Sequence, residues 1–422
     1  MKRMFAFAAL LGALAVTAAL VSSTASAVST TVKPSIPANV GGVVPVVGKQ
    51  AGFLGIPLTY HGGPVMVTNK TYTIFWKPAG YTMNTGYDTT INQYFQDVAH
   101  DSNMGTNVYA AGTQYYQNPG TTHVQYSSAY GGTYTDTNPF PASGCPLYSG
   151  LPVCLTDAQI QNELNNVIAS QGWVKNSTNM FFMFTAKNVG SCFDSSGSTC
   201  AFTYYCAYHG STDTGAAIYA NMPYTGGVGG CDEGQYPNGS SNQADPTINV
   251  TSHEHNEAIT DPQLNAWYDA QGNEDGDKCA WNFGSTQGAN GSEYNQTING
   301  HHYFLQMEWS NTNPSNTCVQ TYNISGGGGG GGGGAPKITG FSPLSGKRGV
   351  TVVTISGSNL SGETFVGLTR NNVNYAASSV TVVSSSKITA KVPSTVPTGF
   401  SKWKVTTPGG TATSLNSFTV TG

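Results

Sequence analysis

Charge is what this chain has least of: Asp, Glu, Lys and Arg together make up 9% of its 422 residues, and the net charge is −4. An overall negative charge argues against nucleic acid as a partner. Solubility rests instead on hydroxyls and amides, a composition that suits an extracellular wall or matrix setting. Long apolar runs are missing beyond the first 27 residues, so no later segment is a candidate to span a bilayer. Cysteine is absent before position 145 and after 318, and no CxxC pair occurs, which removes the usual signature of a cysteine-only zinc site. No GxSxG elbow is present to support a serine nucleophile.

The start of the chain has a pattern of its own. Lys2 and Arg3 precede the apolar run "FAFAALLGALAVTAALV", and Ala25-Ser26-Ala27 ends it. This predicts an export signal over residues 1–27 with cleavage before Val28. Without Lys2 and Arg3 the 17 basic residues become 15 against 21 acidic, a net charge of −6. No membrane anchor is expected after cleavage. Residues 28–56 carry little secondary-structure signal and read as a flexible N-terminal segment, either a pro-segment or a tether.

Export makes disulfides the expected state of Cys145, Cys154, Cys192, Cys200, Cys206, Cys231, Cys279 and Cys318. Pairing each with its neighbour is the simplest of 105 connectivities, and spacing alone does not select it.

Nine glycines, 326–334, divide the sequence. Such a run spans roughly 15–18 Å as a random coil, so residues 325–335 are read as a linker. Beyond it, short β-branched runs broken by turn residues every eight to twelve positions predict an all-β, immunoglobulin-like sandwich over 336–422. The pattern P-x-I-x-x-F-x-P-x-x-G from Pro336 to Gly346, with "VTISGSNL" and "VPSTVPTG", resembles the IPT/TIG domain. That resemblance implies a fold, with spacer or adhesive use.

Residues 57–324 read as a disulfide-stapled α+β body. "TYTIFW" and "NMFFMFTA" are strand-like. "TDAQIQNELNNVIASQG" opens on a Thr156–Gln159 capping box with Ile160, Leu164, Val167 and Ile168 at helical spacing, and "TINQYFQDVAHDS" repeats that spacing. Asn299-Gly300 predicts a tight hairpin.

The chemistry sits in "TSHEHNEAITDP", residues 251–262. Asp245-Pro246 predicts a helix start, with Asp245 as N-cap, and Pro262 ends the helix near Thr260. On it His253, Glu254, Glu257 and Asp261 share one stripe, while His255, about 200° away from His253, falls on the face of Ile248 and Ile259. A zincin-like HExxE helix follows: His253 and Glu257 as ligands of Zn²⁺, Glu254 as the base that takes a proton from water, and Asp277 or Glu274 from "NEDGDKC" completing the set. Calcium is the alternative cation, since that loop is rich in oxygen donors. The rival non-metal reading makes Thr251-x-x-Glu254 a capping box and His253 a core residue.

"YHGGPVM", "YTIFW", "SHEHNEAITDPQLNAWYDAQGNEDGDKC" and "YNQTINGHHYFLQMEWSNTNPSNTC" resemble the EXORDIUM or phosphate-induced protein 1 family, secreted wall proteins of plants with bacterial relatives. His253, Glu254, Glu257, Glu274, Asp277 and Cys279 fall on that family's motif positions. The resemblance implies an extracellular, wall-associated protein and no particular reaction; the added IPT/TIG module points to a bacterial exported protein. Two functions follow as expectations: a metal-dependent hydrolase, peptidase-like, or a noncatalytic binder of wall polysaccharide. In the second, the 23 tyrosines and six tryptophans could stack on sugars, or the IPT/TIG domain could carry adhesion.

Overall fold

A computed structural model describes residues 39–48, 55–212, 217–312, 314–324, 336–358, 360, 365–371, 373–384, 386–407 and 410–422. The export signal and the polyglycine run lie outside the described residues.

The body is organised by one six-stranded sheet. Its strands are β1 (Val40–Pro45), β2 (Asn69–Trp76), β3 (Ser128–Asp136), β4 (Asn179–Thr185), β5 (Tyr205–Ser211) and β6 (Ile218–Met222), in the order β1-β5-β6-β4-β2-β3. The β6/β4, β4/β2 and β2/β3 pairs are parallel, whereas β1 and β6 flank β5 antiparallel. Parallel neighbours need crossovers, supplied by helices α1 (Tyr87–His100), between β2 and β3, and α2 (Asp157–Ser170), between β3 and β4.

Both faces of the sheet are covered. Along β4, Met180, Phe182 and Phe184 join the core beneath α1 and the later helix α3 (Asp245–Thr260), while Phe181 and Met183 join the core beneath α2. The body is therefore a three-layer arrangement, with helices packed on both faces of a mixed sheet. A strand buried on both sides loses its polar alternation, so "NMFFMFT" cannot reveal which face it shows.

Local readings hold closely. Thr156 Oγ1 accepts from the Gln159 N–H and Gln159 Oε1 accepts from the Thr156 N–H, the reciprocal cap of α2. Asn299 and Gly300 adopt φ +48° and +81° between the paired strands Gln296–Ile298 and His301–Tyr303, as a two-residue turn of that kind requires. Four disulfides join neighbours: Cys145–Cys154, Cys192–Cys200, Cys206–Cys231 and Cys279–Cys318. Two expectations change. Asp245 is the first helical residue of α3, not its cap, and accepts instead from the N–H and side-chain amide of Asn238. And within the segment read as flexible, Val40–Pro45 is the edge strand β1, with Val44 fully buried.

Among the shorter strands of the body, β7 (Glu308–Ser310) pairs with Thr317–Val319. The C-terminal domain is all-β. One sheet holds β8 (Lys337–Ser342), β9 (Val352–Ser358), β12 (Val380–Ser384) and β13 (Lys387–Lys391). The other is built on β10 (Phe365–Arg370), β11 (Val373–Ala376), β14 (Gly399–Thr407), β15 (Gly410–Thr413) and β16 (Phe418–Thr421). Their inner faces meet around Trp403, Ile355, Leu368 and Phe418, the immunoglobulin-like sandwich expected.

Candidate metal centre

All sixteen residues of α3 are buried, yet five of the side chains between Ser252 and Glu257 are charged or strongly polar. Burying such groups costs several kcal/mol each unless something answers them. Two answers are visible, one for each of two faces of the helix.

His255 faces the aromatic core. Its Nδ1 lies 2.9 Å from the Tyr109 hydroxyl and its Nε2 3.1 Å from Asn69 Oδ1, and burial pushes its pKa down to about 3. It is a satisfied core histidine, as its position on the helix implies. The capping-box reading fails: Thr251 lies inside the helix and donates to the Thr247 carbonyl at 2.7 Å. His255→Ala should therefore lower stability by about 3 kcal/mol through a cavity and a stranded Asn69 amide, with bound metal unchanged in elemental analysis.

The other stripe is different. His253 Nε2 stands 2.9 Å from Glu257 Oε1, both fully buried. The 273–279 loop, which ends at the disulfide-bonded Cys279, brings in Asp277, whose N–H donates to Glu257 Oε1 at 2.7 Å. Ligand atoms of His253, Glu257 and Asp277 all lie within 4.8 Å of one another. A second triad, His209, Glu254 and Glu257, meets the same criterion. There His209 Nδ1 is 3.2 Å from Glu254 Oε2 and 3.7 Å from Glu257 Oε2, and its Nε2 is 3.8 Å from Glu274 Oε1. Glu257 is shared by both.

Of the residues singled out in the sequence, then, His253, Glu257 and Asp277 are brought together. Glu254 stands beside them, and Glu274 lies on the His209 side. Sequence reasoning missed His209 and Glu308. A single histidine in the strand "YCAYHGS" reads as core, and only the pairing of β5 within the sheet aims it at α3. Glu308, on β7, is fully buried, and neither of its carboxylate oxygens has a hydrogen-bond partner among the described residues.

The electrostatics are those of a site short of positive charge. Burial first, and the adjacent Glu257 carboxylate second, hold Glu254 well above the usual carboxylate range. Glu274 is raised by the same two causes, and Glu308 by burial and then Asp275. Asp275 is pushed up to about 7 by burial, against the Thr260 hydroxyl that donates to it. Burial lowers His253 and takes His209 to about 3, leaving both imidazoles neutral with lone pairs to offer. The nearby cation Lys278 is engaged elsewhere, 3.2 Å from Asp269 and over the Trp309 ring.

Two glycines let backbone close over the cluster. A Cβ at Gly42 of β1, where φ is +43°, would lie 1.9 Å from His209 Nδ1 and 2.3 Å from Glu257 Oε2; one at Gly276 would lie 2.9 Å from Glu257 Oε1. The Val44 N–H donates to Glu254 Oε1 at 3.3 Å. Strand β1 thus covers the cluster from one side and the 273–279 loop from another.

The eight cysteines offer no rival metal site. Cys145, Cys154 and Cys192 lie close together, but each is in a disulfide and has no thiolate to give.

Comparison with known proteins is informative for the C-terminal domain. Residues 336–420 match the IPT/TIG domain family. No curated protein matches the chain. Similar solved structures include a structural genomics protein of unknown function from Bacteroides thetaiotaomicron, at 20% identity and TM-score 0.20, covering 22% of this chain and 23% of that one. SGBP-B from a complex xyloglucan utilization locus in Bacteroides uniformis matches at 24% identity and TM-score 0.19, over 24% and 25% of the two chains. The Gamma-CGTASE of the alkalophilic Bacillus clarkii matches at 21% identity and TM-score 0.17, over 35% and 18%. This chain spans a quarter or less of the length of these three, and likenesses of that size carry no argument about activity. The body's resemblance to the EXORDIUM family rests on its sequence blocks alone. Among the described residues, no helix is long and apolar enough to cross a membrane.

Proposed function

We propose that the body is a divalent-cation protein whose centre is held by His253, Glu257 and Asp277, with hydrolysis as the chemistry its donor set suits. The observation that carries this is the convergence of His253, Glu257 and Asp277 ligand atoms within 4.8 Å of one another, beside a second such group, His209, Glu254 and Glu257, that shares Glu257; both imidazoles are fully buried, and burial keeps them neutral. Imidazole nitrogen with carboxylate oxygen suits Zn²⁺; Ca²⁺ prefers six to eight oxygens and would gain little from His253. A bound cation of this kind acts as a Lewis acid and acidifies water.

In that setting Glu254 is the proton acceptor, and His209, 3.2 Å from its Oε2, is positioned to share the proton. Glu257 is anchored by the Asp277 N–H, which fixes the carboxylate against the helix. The cluster is closed to solvent in this arrangement, so hydrolysis further requires β1 to move aside. The EXORDIUM resemblance agrees with a secreted, wall-associated setting. A second reading, binding of polysaccharide without catalysis, is favoured by the exposed groove on the C-terminal domain taken up below.

Elemental analysis of the purified full chain tests the cation. About one zinc per chain is expected, falling to near zero in His253→Ala and retained in Glu254→Gln. Equal metal content in wild type and His253→Ala would remove His253 as a ligand and the proposal with it.

A further inference from the structure

The small net charge of the chain conceals a division. Residues 336–422 hold eight lysines and arginines and a single acid, Glu363, a net of +7; the rest of the chain holds nine basic and twenty acidic residues, a net of −11. The C-terminal domain is thus a strongly basic module on an acidic protein, and a spacer has no need of that.

The basic side chains are not spread evenly. On β14 the two-residue period of a strand sends Ser401 and Trp403 inward and Phe400, Lys402 and Lys404 to the outer face. Strand β10 pairs alongside, with Thr369 opposite Lys402 and Gly367 opposite Lys404. Arg370 at the end of β10 donates through Nη1 to the carbonyls of Pro397 and Thr398, at 3.4 and 2.5 Å, which fixes its guanidinium at the rim. Arg370, Asn371, Asn374, Phe400, Lys402 and Lys404 line a groove of about 640 Å³. Phe400 stands in it 71% exposed. An exposed phenyl between cations is costly to leave in water and finds no partner within the sandwich core.

We propose that this groove binds a carboxylate-bearing polysaccharide, a polymer of uronic-acid type. The pieces fit the chemistry of one sugar acid: Phe400 offers a flat face for a pyranose ring, Asn371 and Asn374 offer amides to its hydroxyls, and Lys402, Lys404 and Arg370 offer charge to the carboxylate. A polyol-phosphate polymer would satisfy the cations and leave the phenyl without a ring to stack on. Duplex nucleic acid would need a longer basic track along its backbone than a groove of this volume supplies. The inference is independent of the metal centre, since no residue is shared.

The test is affinity electrophoresis of the full chain through gels containing polygalacturonate, neutral dextran, glycerol teichoic acid or duplex DNA. Retardation is expected in polygalacturonate alone, weakening with added salt. Lys402→Gln/Lys404→Gln should raise the apparent dissociation constant at least tenfold and Phe400→Ala severalfold; all three positions are solvent-facing, so the fold is retained, and unchanged circular dichroism checks it. No retardation in polygalacturonate, equal retardation of wild type and the double variant, or stronger retardation by teichoic acid or DNA would each overturn the proposal.

Discussion

Stripping the cation from the full chain is expected to lower the melting temperature of the body by on the order of 10 °C. A ligand that binds only the folded state, at a free concentration about a thousand times its dissociation constant, contributes roughly 4 kcal/mol. In a domain of this size each kcal/mol moves the transition by about 2–4 °C. The physical source is the site itself: without a cation, Glu254, Glu274 and Glu308 are held as buried acids far from their normal range, a cost that a divalent charge reverses. Differential scanning calorimetry with excess zinc and after exhaustive dialysis against chelator measures the difference. His253→Ala should melt at the same temperature in both conditions. A wild-type protein indifferent to chelator would show that the cluster is not a cation centre.

The second large effect is expected from a methyl group. Gly42→Ala places a Cβ inside contact distance of both His209 Nδ1 and Glu257 Oε2, two side chains with no solvent-facing space to retreat into. Strain at φ +43° adds about 1 kcal/mol, and the steric term should bring the loss to roughly 3 kcal/mol or more, with metal content falling alongside. Gly48→Ala is the control, because φ there is also positive, +86°, while nothing stands within 4 Å of the added carbon. It should lose only the backbone-strain part and keep the metal. If the two variants unfold at the same denaturant concentration, β1 does not press on the cluster, and its role as cover is wrong.

How far the centre could be read from sequence depends on distance along the chain. His253, Glu254 and Glu257 are separated by one helical turn or less, and a helix bounded by Pro246 and Pro262 fixes their common stripe without reference to anything else. That same geometry set His255 aside, and the structure buries it against Tyr109 and Asn69. Asp277, twenty residues on, was one of two acidic candidates in its loop; choosing it over Glu274 for the His253 group required the turn that aims its N–H at Glu257. His209 lies 44 residues upstream in a strand whose every residue is buried. No periodicity marks it, because a central strand shows neighbours on both faces and its sequence carries no inside or outside.

What the sequence determined by itself was therefore local: the reciprocal cap of α2, the Asn-Gly turn, the limits of α3, the basic sandwich beyond the glycines, and one stripe of ligands. These depend on backbone preferences within a few residues. Only the tertiary structure decided that the sheet is covered on both faces, that the disulfides join neighbours, and that β1, β5 and β7 bring a strand backbone, a histidine and an unanswered carboxylate to the same helix. Contacts of that kind depend on strand order, and strand order is set by how whole layers share a core, which no short run of residues encodes.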